Sequence, residues 1–213
     1  KTGGGRSHQG AQIDTSHPIP GHQRQRVAGH VTDIATLPDY LRPELDIVFV
    51  GINPGAYSAR VGKYFATPTN RFWRALKASG IVEIDRDLVP GDETWLSDVG
   101  VGFTDVVKRA SSSASDLRAA DYREWAPLTK QKLQEAAPLI VCFNGLTGYQ
   151  SYARYADDLR LKPKLGEQPT SIGESRVFVA PNPSPANAAF SLNVIAGWYR
   201  ELGELRDRLK AGV

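Results

Sequence analysis

A five-residue segment, Gly51-Ile52-Asn53-Pro54-Gly55, directly follows the apolar run Asp46–Val50. The run is short and rich in β-branched residues, which predicts a strand buried on both faces. Pro54 restricts one backbone torsion and Gly55 tolerates close approach of a ligand, so Asn53 would be held at the strand's carboxyl end. Its amide oxygen could accept a hydrogen bond from a water molecule and aim that water at an electrophilic carbon. The competing interpretation is a simple turn leaving the strand.

A second segment, Lys63-Tyr64-Phe65-Ala66, lies in the same predicted loop. Its aromatic side chains could stack on a flat base. Flipping a nucleotide out of a duplex costs a few kcal/mol, and stacking on an aromatic side chain recovers ~1–3 kcal/mol per base. The competing interpretation is that these aromatic residues attach the loop to the core.

The third segment is Pro181-Asn182-Pro183-Ser184-Pro185-Ala186-Asn187, which follows the apolar run Arg176–Ala180. Its three prolines predict a stiff projecting loop, and a rigid loop loses little entropy when it binds. Such a loop suits contact with a duplex, because Ser184 and backbone N–H groups could bind phosphates. A rigid turn without function is the alternative.

The pattern along the chain alternates between strands and helices. The strands are predicted at 46–50, 99–103, 139–143 and 176–180, and the helices at 70–80, 93–97, about 125–136, after 145 through Tyr155, and 195–209. This alternation predicts a three-layer α/β/α sandwich with a central, mostly parallel β-sheet. Ligands of such sheets bind beyond the carboxyl ends of the strands, which directs attention to 51–65, 104–109 and 181–190.

Composition divides the chain into a flexible basic extension over 1–30 and one globular domain over 31–213. Residues 1–30 hold all four histidines and the whole net charge of +3, so basic and acidic groups balance in the rest. A DNA surface would therefore have to be a local patch, for which Arg60, Lys63, Arg71, Lys108 and Arg109 are the candidates. The absence of a long apolar run leads us to expect a cytoplasmic protein associated with the nucleoid.

The single cysteine, Cys142, excludes an intramolecular disulfide and a cysteine-ligated metal cluster. It sits in the apolar run 139–143, so we interpret it as a core residue. Without histidine in the body, a His-dependent triad or clustered His metal site is also not expected there. We therefore predict neither a metal nor a cofactor.

Together the three segments and the run Pro68–Trp73 resemble the uracil-DNA glycosylase superfamily, in particular its bacterial mismatch-specific and thymine-DNA glycosylase branch. The resemblance implies hydrolysis of the N-glycosidic bond of a flipped uracil, with Asn53 positioning the water and Phe65 stacking on the base. It implies a base pocket and a DNA-binding surface. The pocket would comprise Ile52, Pro54, Gly55, Ser58, Gly62, Tyr64 and Phe65, and the DNA-binding residues would be Lys63, Arg71, Asn182, Pro183, Ser184, Pro185, Ala186 and Asn187.

The chain departs from the pattern of this branch at two places. Pro185-Ala186-Asn187 stands where the branch carries a leucine wedge and an arginine, which predicts less dependence on the base in the opposite strand. Asp105 stands where the branch typically has lysine, in Gly102-Phe103-Thr104-Asp105. A carboxylate there could activate water and stabilise an oxocarbenium-like state beside Asn53. A solvent-facing Asp105 paired with Lys108 or Arg109 is the alternative.

We expect a monomer that acts on double-stranded DNA containing uracil, with single-stranded DNA as a further substrate to test and no membrane partner. No lysine is placed as a Schiff-base nucleophile, so a monofunctional enzyme without strand cleavage is predicted. Two other classes stay open at this point: a noncatalytic nucleic-acid-binding α/β domain, and a hydrolase of free nucleosides.

Overall fold

The computed structural model describes residues 25–27, 30–32 and 36–212, and the rest of the predicted extension over 1–30 lies outside these ranges. The strands are β1 (Gln25–Val27), β2 (His30–Thr32), β3 (Ile47–Gly51), β4 (Val101–Asp105), β5 (Ile140–Asn144), β6 (Gly166–Ile172) and β7 (Ser175–Ala180). The helices are α1 (Ala56–Val61), α2 (Phe72–Ser79), α3 (Glu93–Asp98), α4 (Ala119–Ala136), α5 (Leu146–Ala156) and α6 (Leu192–Lys210).

Five strands form the central sheet in the order β4-β3-β5-β7-β6. The first four are parallel, and β6 pairs antiparallel with β7 at the edge. β1 and β2 form a separate antiparallel pair. Because these four strands are parallel, the segments that follow them all leave the sheet at the same edge. The last strand residues at this edge are Gly51, Asp105, Asn144 and Ala180.

Helices cover both faces of the sheet, and alternate residues of each strand separate two cores. Phe49, Phe103, Cys142 and Phe178 pack on one face with side chains of α2, α3 and α6. The intervening residues, such as Val48 and Val141, pack on the other face with α4 and α5. The predicted three-layer α/β/α sandwich is therefore confirmed.

Several local predictions also match the structure. The Asn70 side chain accepts a hydrogen bond from the Phe72 N–H at 2.9 Å, and Gly80 ends α2 in the left-handed conformation, as their residue types indicated. Cys142 is buried, and burial raises the pKa of its thiol, so it is a core residue. In the described part of the chain, no helix has the length and apolar character needed to cross a membrane.

Several elements differ from the sequence predictions. The short strands β1 and β2 were not predicted and fall at the end of the predicted extension, and α4 begins about six residues earlier than expected. β4 begins two residues later than expected, so Thr104 and Asp105 belong to the strand. The short helix α1 occupies what we predicted to be a continuous loop. The edge strand β6 was missed because Gly166-Glu167-Gln168-Pro169 contains few residues that favour strands, and its pairing with β7 comes from tertiary contacts.

Candidate active site

The four parallel strands end at one row of residues across the sheet. Gly51 pairs with Asp105 on one side, and the pairing of Val50 with Phe143 brings Gly51 beside Asn144 on the other. Alternation along the strands directs Asp105 and Asn144 to the face covered by α2 and α6. Gly51 has no side chain, so the Asp105 carboxylate can pack closely against its backbone. A Cβ atom on Gly51 would lie only 2.5 Å from Asp105 Oδ1.

The Asn53 side chain is held in one orientation directly above this edge. Its amide nitrogen donates to the carbonyl of Arg109 at 3.0 Å, to Ser111 Oγ at 2.8 Å and to the carbonyl of Pro54 at 3.2 Å. Ser111 Oγ in turn donates to the carbonyl of Ser113. Because the nitrogen faces these acceptors, Oδ1 points away from them, and within the described residues no donor reaches it. Asn53 thus presents an oriented, half-exposed acceptor.

Asp105 belongs to a buried cluster of charged and phenolic groups. Lys108 Nζ lies 3.5 Å from Asp105 Oδ2, 2.5 Å from Asp39 Oδ1 and 3.1 Å from the Tyr64 hydroxyl. Burial raises the pKa of Asp105 to about 6, with the charge of Asp39 adding to the rise and Lys108 opposing it. Burial also tends to raise the pKa of Asp39, but Lys108 and Lys132 outweigh it and hold that pKa below its ordinary value.

This cluster corrects two expectations about surface charge. Lys108 is 1% exposed and cannot contribute to a positive surface patch. The alternative interpretation of Asp105 was a solvent-facing carboxylate paired with Lys108 or Arg109. Asp105 does pair with Lys108, but at 2% exposed it does not face solvent. Arg109 pairs instead with Asp121, at 2.7 Å. Arg60 and Lys63 are exposed and remain candidates for the patch.

The loop between α1 and α2 is fixed by buried polar contacts. Ser58 Oγ accepts from the Ala66 N–H at 3.1 Å, and Glu93 Oε1 accepts from the Tyr64 N–H at 2.6 Å. Gly62 ends α1 with a positive φ of 71°. Tyr64 was expected to line the base pocket, but it is 1% exposed and its ring lies in the core. Ser58 is also buried, and its visible role is to close the loop.

Phe65 remains partly exposed at the same edge of the sheet. Its ring stacks on Phe72, with centroids 4.1 Å apart and planes at 20°. Its φ of 49° is in the left-handed region, which non-glycine residues rarely adopt. The surrounding contacts therefore hold the Phe65 ring in a set plane. A preorganised ring of this kind can stack on a planar ligand with little loss of entropy.

The proline-rich loop is attached to the start of α2 by one arginine. Arg71 donates to the carbonyls of Pro183 at 3.2 Å and Asn187 at 2.7 Å, and also to those of Ser184 and Phe190. Within the loop, the Asn182 side chain accepts from the Ser184 N–H, and Asn187 donates to the carbonyl of Asn182. Arg71 thus organises the loop that was expected to bind DNA, and its own contact with DNA remains a prediction.

Replacing Arg71 with alanine should destabilise the protein by about 2–4 kcal/mol, because several carbonyls lose a charged donor at once. Urea denaturation would measure this change, and limited proteolysis should show faster cleavage between 182 and 190. Arg74→Ala is the matched control, since Arg74 is exposed on the same helix. A loss in the Arg71 variant no larger than in the control would contradict the structural role.

The sequence did not single out several residues that shape this site. Ser111 orients Asn53, Gly51 leaves room for the Asp105 carboxylate, and Asn144 lies on the other side of Gly51 from Asp105. The sequence around Asn144 could have indicated its position, because this asparagine ends an apolar run and precedes a glycine. Asn53 stands in a similar place, shortly after an apolar run and shortly before a glycine. In the described part of the chain, no three His, Cys, Asp or Glu side chains lie together as metal ligands would.

Comparison with known proteins identifies the family. The geometry defines a three-layer α/β domain with an oriented amide, a carboxylate and a stacking ring at the carboxyl edge of its sheet. The model of the uracil DNA glycosylase superfamily matches residues 38–202, and the chain belongs to this superfamily. It is a DNA glycosylase of α/β/α architecture.

A solved structure has the same fold. It is the solution NMR structure of a protein from Methanosarcina acetivorans that is described as a candidate uracil DNA glycosylase. The two chains are 24% identical, and the match covers 81% of this chain and 97% of the other with a TM-score of 0.54. At this identity the match supports the architecture.

Proposed function

We propose that the protein hydrolyses the N-glycosidic bond of uracil extruded from DNA and leaves an abasic site. The observation that carries this proposal is the fixed orientation of Asn53. With its nitrogen committed to Arg109 and Ser111, its Oδ1 can accept a hydrogen bond from one water. A water held in this way would be directed at the C1′ carbon of a nucleotide whose base stacks on the Phe65 ring.

The partly exposed ring of Phe65 supports binding of an extruded base. Its plane is set by Phe72, and stacking would offset part of the cost of flipping the nucleotide. The pocket would be closed by Ile52, Pro54 and Gly55 from the Asn53 segment. Loop 182–187 would contact the phosphates beside the flipped nucleotide, and exposed Lys63 would add an attractive charge.

Asp105 would contribute charge at the same site. With its pKa raised to about 6, the carboxylate is mostly ionised at neutral pH. A negative charge at this edge of the sheet would stabilise the positive charge that develops on the sugar as the bond breaks, and could assist the water. Asn53 and Asp105 would thus share the task of activating and directing the nucleophile.

We further propose that the enzyme belongs to the mismatch-specific and thymine-DNA glycosylase branch, acts without metal and is monofunctional. The Gly51–Gly55 segment and the late Asn182-Pro183-Ser184 support this branch. Mispaired G:U and other damaged pyrimidines are then candidate substrates. A monomeric cytoplasmic protein, associated with the nucleoid, would suit this function.

An oligonucleotide assay tests the proposal. A fluorescent strand with one uracil is incubated with the protein in EDTA and then treated with alkali, which cleaves abasic sites. We expect cleavage only after alkali, with free uracil released. DNA binding without cleavage would favour a noncatalytic domain, and preferential hydrolysis of free deoxyuridine would favour a nucleoside hydrolase. Either result would overturn the proposal.

The tip of the loop 182–187 predicts that the protein makes little contact with the base opposite the uracil. Pro185 and Ala186 are exposed and small, so they offer no large apolar wedge to hold the space that a flipped base leaves. We expect similar single-turnover rates on uracil in single-stranded DNA and opposite guanine. Ala186→Leu adds a wedge and should raise the duplex rate relative to the single-strand rate. Strict dependence on guanine in the unmodified protein would refute this prediction.

A further inference from the structure

One aromatic side chain beside the candidate site is exposed and has no part in the proposed reaction. Tyr57 lies in α1 and is 40% exposed, more than any other aromatic side chain in the part of the chain that the structure describes. Val61, four residues further along the same face of the helix, is 38% exposed. Exposed apolar groups that adjoin one another mark surfaces that contact a ligand or partner.

An arginine adds a positive charge to this exposed ring. The Arg60 guanidinium carbon lies 5.0 Å from the centroid of the Tyr57 ring, as residues three apart on one helix allow. A cation at this distance from an aromatic ring is attracted to it, so the contact helps to hold both side chains in place. The pair combines a ring with a cation. Single-stranded nucleic acids are bound by these two kinds of group, because bases stack on rings and phosphates are attracted to cations.

One residue joins α1 to the Asn53 segment. Ser111 Oγ accepts from the Asn53 amide at 2.8 Å, and the Ser111 carbonyl accepts from the Ala56 N–H at 2.9 Å. The same residue therefore fixes the catalytic amide and the first turn of α1. Tyr57 follows Asn53 by four residues, so their Cα atoms are at most about 14 Å apart. Successive nucleotides of one duplex strand are about 3.4 Å apart along the axis, so Tyr57 lies within a few nucleotides of the flipped position.

The charge of the surrounding segment favours a nucleic-acid partner for this surface. Residues 47–82 carry five basic side chains and no acidic one, although the two kinds of charge balance over the globular domain. The basic residues are Arg60, Lys63, Arg71, Arg74 and Lys77. Arg71 and Lys77 donate to backbone carbonyls, whereas the other three are exposed. A segment with only positive charges attracts the phosphates of a DNA strand.

We propose that Tyr57 and Arg60 form a platform on which a base flanking the uracil stacks when the substrate is single-stranded DNA, with Arg60 attracting the adjacent phosphate. This inference rests on the proposed function, which brings the strand to this edge of the sheet. In a duplex the flanking bases are paired and stacked on their neighbours. In a single strand they are free to stack on a side chain. The platform therefore strengthens the binding of single strands more than the binding of duplexes.

Removing the ring and removing the flanking bases together test this contact. The probe is a fluorescent single strand with one 2′-fluoro-deoxyuridine, which resists hydrolysis because the fluorine destabilises a cationic sugar. A second strand has baseless linkers in place of the three nearest nucleotides on either side. Tyr57→Ala should weaken binding of the first strand about tenfold, in line with the loss of one base–aromatic contact, and binding of the matching duplex markedly less. The unmodified protein should bind the second strand about tenfold more weakly than the first, whereas Tyr57→Ala should bind both alike.

Matched variants separate stacking from charge. Tyr57→Phe keeps the ring and should retain the affinity of the unmodified protein for each strand. Arg60→Gln should reduce the slope of log affinity against log salt concentration by about 0.7, as the loss of one phosphate contact with a single strand predicts, and Tyr57→Ala should leave this slope unchanged. Arg154→Gln is the control, because Arg154 is also exposed and lies 5.4 Å from the Tyr155 ring, near the far end of α5. It should change neither the affinity nor the slope.

The outcome is decided by whether the two losses are independent. If Tyr57→Ala and the baseless linkers weaken binding by factors that multiply, the ring does not contact those bases and the inference is overturned. Equal losses on single strands and duplexes, or no loss, would overturn it as well. Failure of the unmodified protein to release uracil from an ordinary strand, single or double, would instead overturn the proposed function.

Discussion

Replacing Asn53 with alanine should reduce the single-turnover rate of uracil release by about 100-fold or more while leaving DNA binding largely intact. The loss is large because no nearby described side chain presents an acceptor in the same place, and removal of one preorganised polar group at a reacting centre costs about 10²–10³ in rate. Rates measured with excess enzyme, and affinity measured by fluorescence anisotropy, would separate the two effects.

Two variants refine this expectation. Asn53→Asp keeps an acceptor but replaces the amide nitrogen, so a carboxylate oxygen would face the Arg109 carbonyl at the place of the present 3.0 Å hydrogen bond. Repulsion should turn the side chain and keep the rate low. Ser111→Ala removes one acceptor and should cost about fivefold, as loss of one hydrogen bond of about 1 kcal/mol predicts. An Asn53→Ala variant within tenfold of the unmodified protein would refute the water-positioning role.

Replacing Asp105 with asparagine should lower the rate at pH 7.5 by about 100-fold if the carboxylate stabilises the cationic sugar and assists the water. The sign of the pH dependence follows from the raised pKa of about 6. The ionised form is the active one, so the rate of the unmodified protein should fall as the pH drops through 6. The variant should lack this acidic limb. Full activity of Asp105→Asn would eliminate the catalytic role.

Asp39→Asn provides a matched test within the same cluster. The charge of Asp39 raises the pKa of Asp105, and Asp39 also competes for Lys108. Without that charge, Lys108 would serve Asp105 alone, and the acidic limb should move below pH 6. An unchanged limb would show that it belongs to a group other than Asp105.

The buried cluster also holds the loop around Tyr64 against the end of β4, although the two segments are about forty residues apart in the sequence. The Tyr64 hydroxyl accepts from Lys108, which pairs with Asp105 at the end of β4. Because Phe65 follows Tyr64 directly, the contacts that bury Tyr64 also fix the position of the Phe65 ring against Phe72. The Tyr64 N–H and carbonyl are fixed by Glu93 and Trp73. The loop therefore needs no ligand to reach this position.

Local patterns of residue type were sufficient for most of the fold. Runs such as 46–50 and 139–143 are apolar over the length of a strand, and burial on both faces leaves few other structures available to them. Gly80 marked the end of α2, and Asn70, one residue before the N-cap Arg71, accepts from the first N–H of the helix; both effects act within a few residues. Strand β6 escaped prediction because its residues favour a strand only beside β7.

The candidate site likewise has features that local sequence predicted and features that depend on distant residues. Asn53 was predictable because a strand end, a proline and a glycine act on its immediate backbone. The orientation of its amide was not, since Arg109 and Ser111 lie more than fifty residues away in the chain. The same applies to Arg71, whose type and exposed-looking context suggested a DNA contact, but whose guanidinium binds carbonyls more than a hundred residues away.

The sequence by itself determined the layers of the domain and the position of Asn53 just beyond the end of a parallel strand, because hydrophobic periodicity and turn chemistry act over short distances along the chain. Only the tertiary structure decided that Lys108 is buried between Asp39 and Asp105, and that the Tyr199 hydroxyl donates to the Asn144 side chain. The reason is physical: the pKa of a buried group and the partner of a buried donor depend on which distant segments pack around them.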